Sequence, residues 1–193
     1  QQLRIFGTAK SVPALAALLG AERVGHAARY ALEGIPYPEA GAALRDALGK
    51  TSGPVKAGVI DSLGWRREVA AVPLLVPLLS DSDTTLAAAA ASALGRMGNR
   101  DAVTSLIAAR EKVNPGVRIA VLEALLRCAD DRLNAEDHSG AAAIYGDLFG
   151  AEVPPVIRTA AWRGLVLSDG NQRPGLIIGA LSATENIYRV LDR

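Results

Sequence analysis

The chain is poor in the residues that carry chemistry. It has one cysteine, two histidines and one methionine among 193 residues, and only 4% are aromatic. The single thiol, Cys128, excludes an internal disulfide framework and leaves the redox compartment open. With no second His or Cys at helical spacing, His26 and His138 give no metal-binding pattern, because a zinc site needs about four clustered ligands. Charge of one sign is also missing. The net charge is +1, so no global field draws in nucleic acid or an acidic membrane. No apolar run is long enough to span a bilayer. The longest, Ala70 to Leu79, contains Pro73 and Pro77. There is no glycine-rich phosphate loop after a strand, and no convincing strand. Cys128 has no local His partner, Ser92 no nearby base, and Asp130-Asp131 lies beside Arg127 and Arg132 as a solvated charged face. These gaps predict no catalytic residue, cofactor or metal, and no nucleic-acid or membrane partner. The chain begins without Met or a basic-then-apolar leader, so any targeting signal is expected to have been removed.

What the chain does have is a period. Val24, Val55, Leu86 and Val117 recur every 31 residues, and Ile157 opens a fifth copy after one unit lengthened by nine. Leucine follows eight positions on, at Leu32, Leu63, Leu94, Leu125 and Leu165; these are the predicted core. Small residues follow three on, at Ala27, Gly58, Ala89, Ala120 and Ala160, where two neighbouring helices are expected to approach closely. Such a period marks a solenoid, in which each unit covers its neighbour's apolar face.

Each unit reads as a helix, a tight turn and a second helix. First helices are expected near 8–19, 37–49, 68–80, 101–112, 137–149 and 171–182, second helices near 21–33, 52–64, 83–97, 114–128 and 154–167. Asp83 is a good N-cap, and Gly98 suits the left-handed position after a helix end. The fourth unit, around 128–153, carries the insertion Leu133–Gly140, read as a longer helix end plus a turn. Residues 1–193 are expected to form a single domain. Leu3–Gly7 aligns with the close of a second helix and Thr184–Arg193 with the start of another, so a piece of a longer chain is expected.

The unit's pattern is Ala-Val-Pro-x-Leu, then Asp-x-x-x-Val-Arg-x-x-Ala-x-x-Ala-Leu-Gly. Asn114-Pro-Gly-Val117-Arg118 with Ala120, Ala124 and Leu125 matches it best, with Ser80 to Gly98. It resembles the short HEAT-like repeat, a form also seen in phycobilin-lyase-type repeat proteins, and is similar to HEAT domains of large bacterial proteins, many of them exported. The resemblance implies an all-α, right-handed superhelix of stacked antiparallel helix pairs, and favours a periplasmic or extracellular setting. It is nearly silent on activity. The family's basic position is Lys56, Arg118 and Arg158 here, but Gly25 and Ala87 in two units, so an inter-repeat ladder to turn aspartates such as Asp83 would be incomplete.

In such arrays the second helices line the concave face. The resemblance therefore points His26, Tyr30, Asp61, Trp65, Ser92, Arg96, Glu123, Arg127 and Arg163 into a groove. Tyr, Trp and Arg are enriched at binding hot spots. A non-catalytic interaction scaffold for a protein or peptide is the leading expectation. Alternatives are a spacer within a larger exported protein, and a nucleic-acid enzyme of the HEAT-like glycosylase type, against which Asp61 and Glu123 offset the groove arginines. Pro73, Leu74, Pro77 and Leu78 form a candidate apolar ridge, expected to be covered by another part of the parent chain or a second subunit. The other reading is that a proline kink turns Leu74 and Leu78 inward.

Overall fold

The computed structural model describes residues 7–21, 23–168, 174, 175, 177 and 178. Among them there are helices and no strands. Chain packing groups the molecule into two compact units, Gln1–Val121 and Leu122–Arg193.

In the first unit, α1 (Val12–Ala17), α3 (Pro38–Leu48) and α7 (Arg100–Ala109) are first helices, and α2 (Gly25–Gly34), α4 (Gly53–Trp65) and α6 (Thr84–Met97) are second helices. Second helices pack on their successors, α2 on α4 and α4 on α6, while α1 and α3 pack on each other and on the second helix of their own pair. Local signals set the boundaries. Pro13, Pro38 and Pro54 sit in the first turn, where a missing N–H costs nothing. The Asp83 side chain accepts from the Thr85 N–H, capping α6. Gly98 ends α6 with φ 60°, a conformation in which a Cβ would be strained.

The core follows the period. Leu32, Leu63 and Leu94 have no exposed surface. The small-residue column behaves differently from expectation. Ala27 is exposed, and Gly58 and Ala89 are half-buried. At 100° per residue that column lies on the rim of the buried arc, whose centre is Ala28, Val59, Ile60, Ala90 and Ala91. Outside that column, α4 and α6 approach closely at Gly64, where a Cβ would lie 2.8 Å from the Ala93 Cα.

The segment expected as one helix over 68–80 is broken in three: a 3-10 turn at Val69–Ala71, a single α-turn, α5, at Val72–Leu75, and a 3-10 stretch at Val76–Ser80. Each proline restarts the helix at its own first turn, because it cannot donate into a continuing one. Pro73, Leu74 and Pro77 are exposed, Leu78 is half-buried, and Leu75 and Leu79 take the core positions.

The unit boundary falls within α8 (Pro115–Asn134). The second unit continues with α9 (His138–Gly150) and α10 (Pro155–Ser168), which pack on each other. Leu125 is fully buried. The insertion is a longer helix end and a turn: α8 runs to Asn134, Glu136 takes φ 62°, and the Asp137 side chain accepts from the Gly140 N–H. That bond, with a second from Arg132, holds the Asp137 carboxyl below its ordinary pKa. Leu165 departs from expectation. It is only half-buried, while Ile157, Ala161, Gly164 and Ser168 of α10 are buried. Pro174, Gly175, Ile177 and Ile178 are helical; the rest of the helix expected at 171–182, and the readings placed on Leu3–Phe6 and Thr184–Arg193, lie outside the described residues.

Candidate functional site

On the first unit, α2 and α4 enclose an open hollow of about 540 Å³. His26, Arg29, Tyr30 and Glu33 come from α2, and Gly58, Asp61, Ser62 and Trp65 from α4. Spacing of three and four along each helix puts these residues on one face. Gly58 leaves room for a side chain from the neighbouring helix: its Cβ would lie 2.6 Å from the Arg29 Cζ. Arg29 in turn reaches His26 Nδ1 at 3.4 Å. The Ser62 hydroxyl is shared between Glu33 Oε1, at 2.8 Å, and the Gly58 carbonyl, at 3.0 Å.

Trp65 ends α4 and is 66% exposed. The Arg96 guanidinium lies over its ring, 4.7 Å from the centroid, and reaches Asp61 Oδ1 at 3.4 Å. The structure thus gathers His26, Tyr30, Asp61, Trp65 and Arg96. Ser92 is half-buried on α6. Glu123 and Arg127 are exposed on the part of α8 that belongs to the second unit, and Arg163 is exposed on α10.

Two contacts beside the hollow were not read from the sequence. Arg66 donates to the carbonyls of Leu32, Glu33, Ile35 and Tyr37, closing the C-terminal end of α2. The Leu32 and Glu33 carbonyls lie in the last turn of α2, where no partner is left within the helix, and Arg66 supplies one. Burial lowers the Arg66 pKa, and Glu68 and Glu33 offset part of that. Glu68 itself pairs with Arg45 and fills the space over Gly41, where a Cβ would meet its carboxylate at 1.9 Å. The family's basic positions make local bonds. Arg118 donates to Glu111, and Arg158 to the Ala151 carbonyl, each seven residues back.

In the second unit, Tyr145 and Asp130 form a pair that the sequence reading left in a solvated face. Tyr145 is 1% exposed and its hydroxyl donates to Asp130 Oδ1. Burial raises the phenol's pKa, Asp130 raises it further, and Arg163 lowers it. The signal that could have found the pair is Gly164. Its Cβ would lie 2.3 Å from the Tyr145 ring, so this glycine marks where the ring packs.

Among the described residues, no three of His, Cys, Asp and Glu converge as a metal site, and no helix is long and apolar enough to cross a membrane.

A family model described as HEAT repeats matches residues 42–126 and 74–166. No curated protein matches. Among solved structures, the chain is similar to one in the complex of CpcE and CpcF of phycocyanin lyase from Nostoc sp. PCC7120. The two are 19% identical, with 91% of this chain and 83% of that one covered and a TM-score of 0.50. An engineered protein is 20% identical over 81% of this chain and 47% of its own, with a TM-score of 0.48. At such identities the likeness is one of fold.

Proposed function

The chain belongs to the HEAT-repeat family, and from that premise we propose that it is a scaffold whose α2, α4 and α6 face grips a protein or peptide without catalysing a reaction. The observation that carries this is the exposed Trp65 stacked under Arg96. Packing does not require the ring, since Gly64 and Ala93 already bring α4 and α6 together beneath it. Arg96 is steered by Asp61, so the indole is held without being covered. A large aromatic kept rigid gives contact area at low entropic cost. The hollow beside it offers both signs of charge, from Arg29 and Glu33, together with the Tyr30 ring. That mixture suits an extended peptide with an apolar side chain placed on the indole and polar groups on either side. The likeness to the CpcE and CpcF chains supports the helical-repeat frame alone and assigns no substrate.

The test is selection from a displayed peptide library on the purified chain, followed by the same selected peptides on Trp65→Ala and Arg96→Ala. The expected outcome is a loss of about tenfold or more in affinity, the scale of a hot-spot truncation, with melting temperatures unchanged. If no peptide is enriched over background, or if the peptides bind Trp65→Ala as well as wild type, this face is not the binding surface and the spacer reading takes its place.

A further inference from the structure

The second unit holds its own hollow, of about 370 Å³, independent of the peptide face. Asp130, Leu133 and Asn134 of α8 form one wall, Tyr145 of α9 the floor, and Arg163 and Leu167 of α10 the other wall. Its charges are of opposite sign and do not cancel each other. Among the described residues Arg163 has no acid within ion-pair distance, and Asp130 is engaged by a neutral phenol rather than by a cation. Asp130, Arg163 and the Tyr145 ring nevertheless line the same hollow, with the Tyr145 hydroxyl bonded to the carboxylate.

The carboxylate is held in place. Tyr145 cannot withdraw, because its ring is seated against the Gly164 backbone. It occupies Asp130 Oδ1 and leaves Oδ2 for another donor. Leu133 and the half-exposed Leu167 supply aliphatic wall beside these groups. A lone anion in this hollow would face Asp130, and a lone cation would face Arg163. A ligand carrying both charges on one small body satisfies both at once.

We propose that this hollow binds a small zwitterion, an α-amino acid with an aliphatic side chain. Its ammonium donates to Asp130 Oδ2, its carboxylate accepts from Arg163, and its side chain lies on Leu133 and Leu167. The Asn134 amide can serve either charged group. A peptide offers an ammonium or a carboxylate at a given end, never both on one carbon, so the free amino acid is the matching species.

Isothermal titration with L-leucine, L-leucinamide and isocaproate tests this on the whole chain. Leucinamide lacks the carboxylate, and isocaproate lacks the ammonium. Leucine is expected to bind, and each analogue to bind about tenfold or more weakly, as the loss of one charge-assisted hydrogen-bonded contact implies. Arg163→Gln should erase the difference between leucine and leucinamide. Asp130→Asn keeps a carbonyl acceptor for Tyr145 and should erase the difference between leucine and isocaproate. The proposal is overturned if leucine shows no binding up to about 10 mM, the weak end of specific recognition, or if the three ligands bind alike. It is equally overturned if both variants weaken every ligand to the same degree. Should either variant fail to fold, the three ligands on the wild-type chain decide alone.

Discussion

The two hollows use an aromatic ring in opposite ways. In the first unit the ring is outside: Trp65 is held by Arg96 above helices that already meet through Gly64 and Ala93. In the second unit the ring is inside: Tyr145 is buried, seated on Gly164, and its hydroxyl donates to Asp130. On the proposed roles, the first arrangement separates recognition from folding, and removing its residues is expected to leave the stack intact. The second ties them together, because the group that fixes the Asp130 carboxylate is also part of the core.

The largest effect should come from removing the inner ring. Tyr145→Ala is expected to cost about 3–5 kcal/mol, as for other buried aromatics, measured by urea melts of the whole chain. A cost below about 1 kcal/mol would mean that the ring is not the seat of the α9–α10 packing. The hydroxyl can then be isolated by pH. Burial and Asp130 raise the Tyr145 pKa. The folded chain therefore keeps a proton that the unfolded chain releases near pH 10. That contribution is fully present below about pH 10 and is lost as the pH rises through the folded value. Wild type should lose stability in this alkaline window, and Tyr145→Phe should lose less. Parallel alkaline melts of the two chains would contradict this. The smallest effect belongs to the outer ring. Trp65→Ala should cost less than about 1 kcal/mol, the scale of an exposed cation–π contact. A larger fall in melting stability would make Trp65 a structural residue and remove the contrast between the two hollows.

The repeat was legible because its signals are local and recur. The leucine column, the Asp83 cap and the Gly98 termination each follow from neighbours within one unit. That His26 and Tyr30 share one face, and Asp61 and Trp65 another, follows from helical phase; which face lines a groove came only from the family resemblance. What escaped depends on long-range contact. Asp130 is exposed, as its sequence context implies, but its bond to Tyr145, fifteen residues on, was not visible there. The break at 69–80 escaped because the apolar phase continues through both prolines while the backbone hydrogen bonds do not. Leu165 is half-buried although α10 keeps the expected phase: Ile157, Ala161, Gly164 and Ser168 are buried, as are Leu86, Ala90, Ala93 and Met97 at the same positions of α6. Arg66 was visible in principle. The positions equivalent to it in the other units are Ile35, Met97, Cys128 and Ser168, all buried, so an arginine there needs partners.

Those partners make one junction unlike the rest. Arg66 closes the carbonyl end of a helix that belongs to the preceding unit. Ile35, Met97, Cys128 and Ser168 have no guanidinium with which to do the same. A repeat copied from elsewhere in the chain and inserted at this place would leave the upstream helix with open carbonyls. A repeat moved away from it would carry a cation into an apolar column. The order of these two units is thus marked by a single side chain, whose bonds to the upstream helix a shuffled repeat would not make.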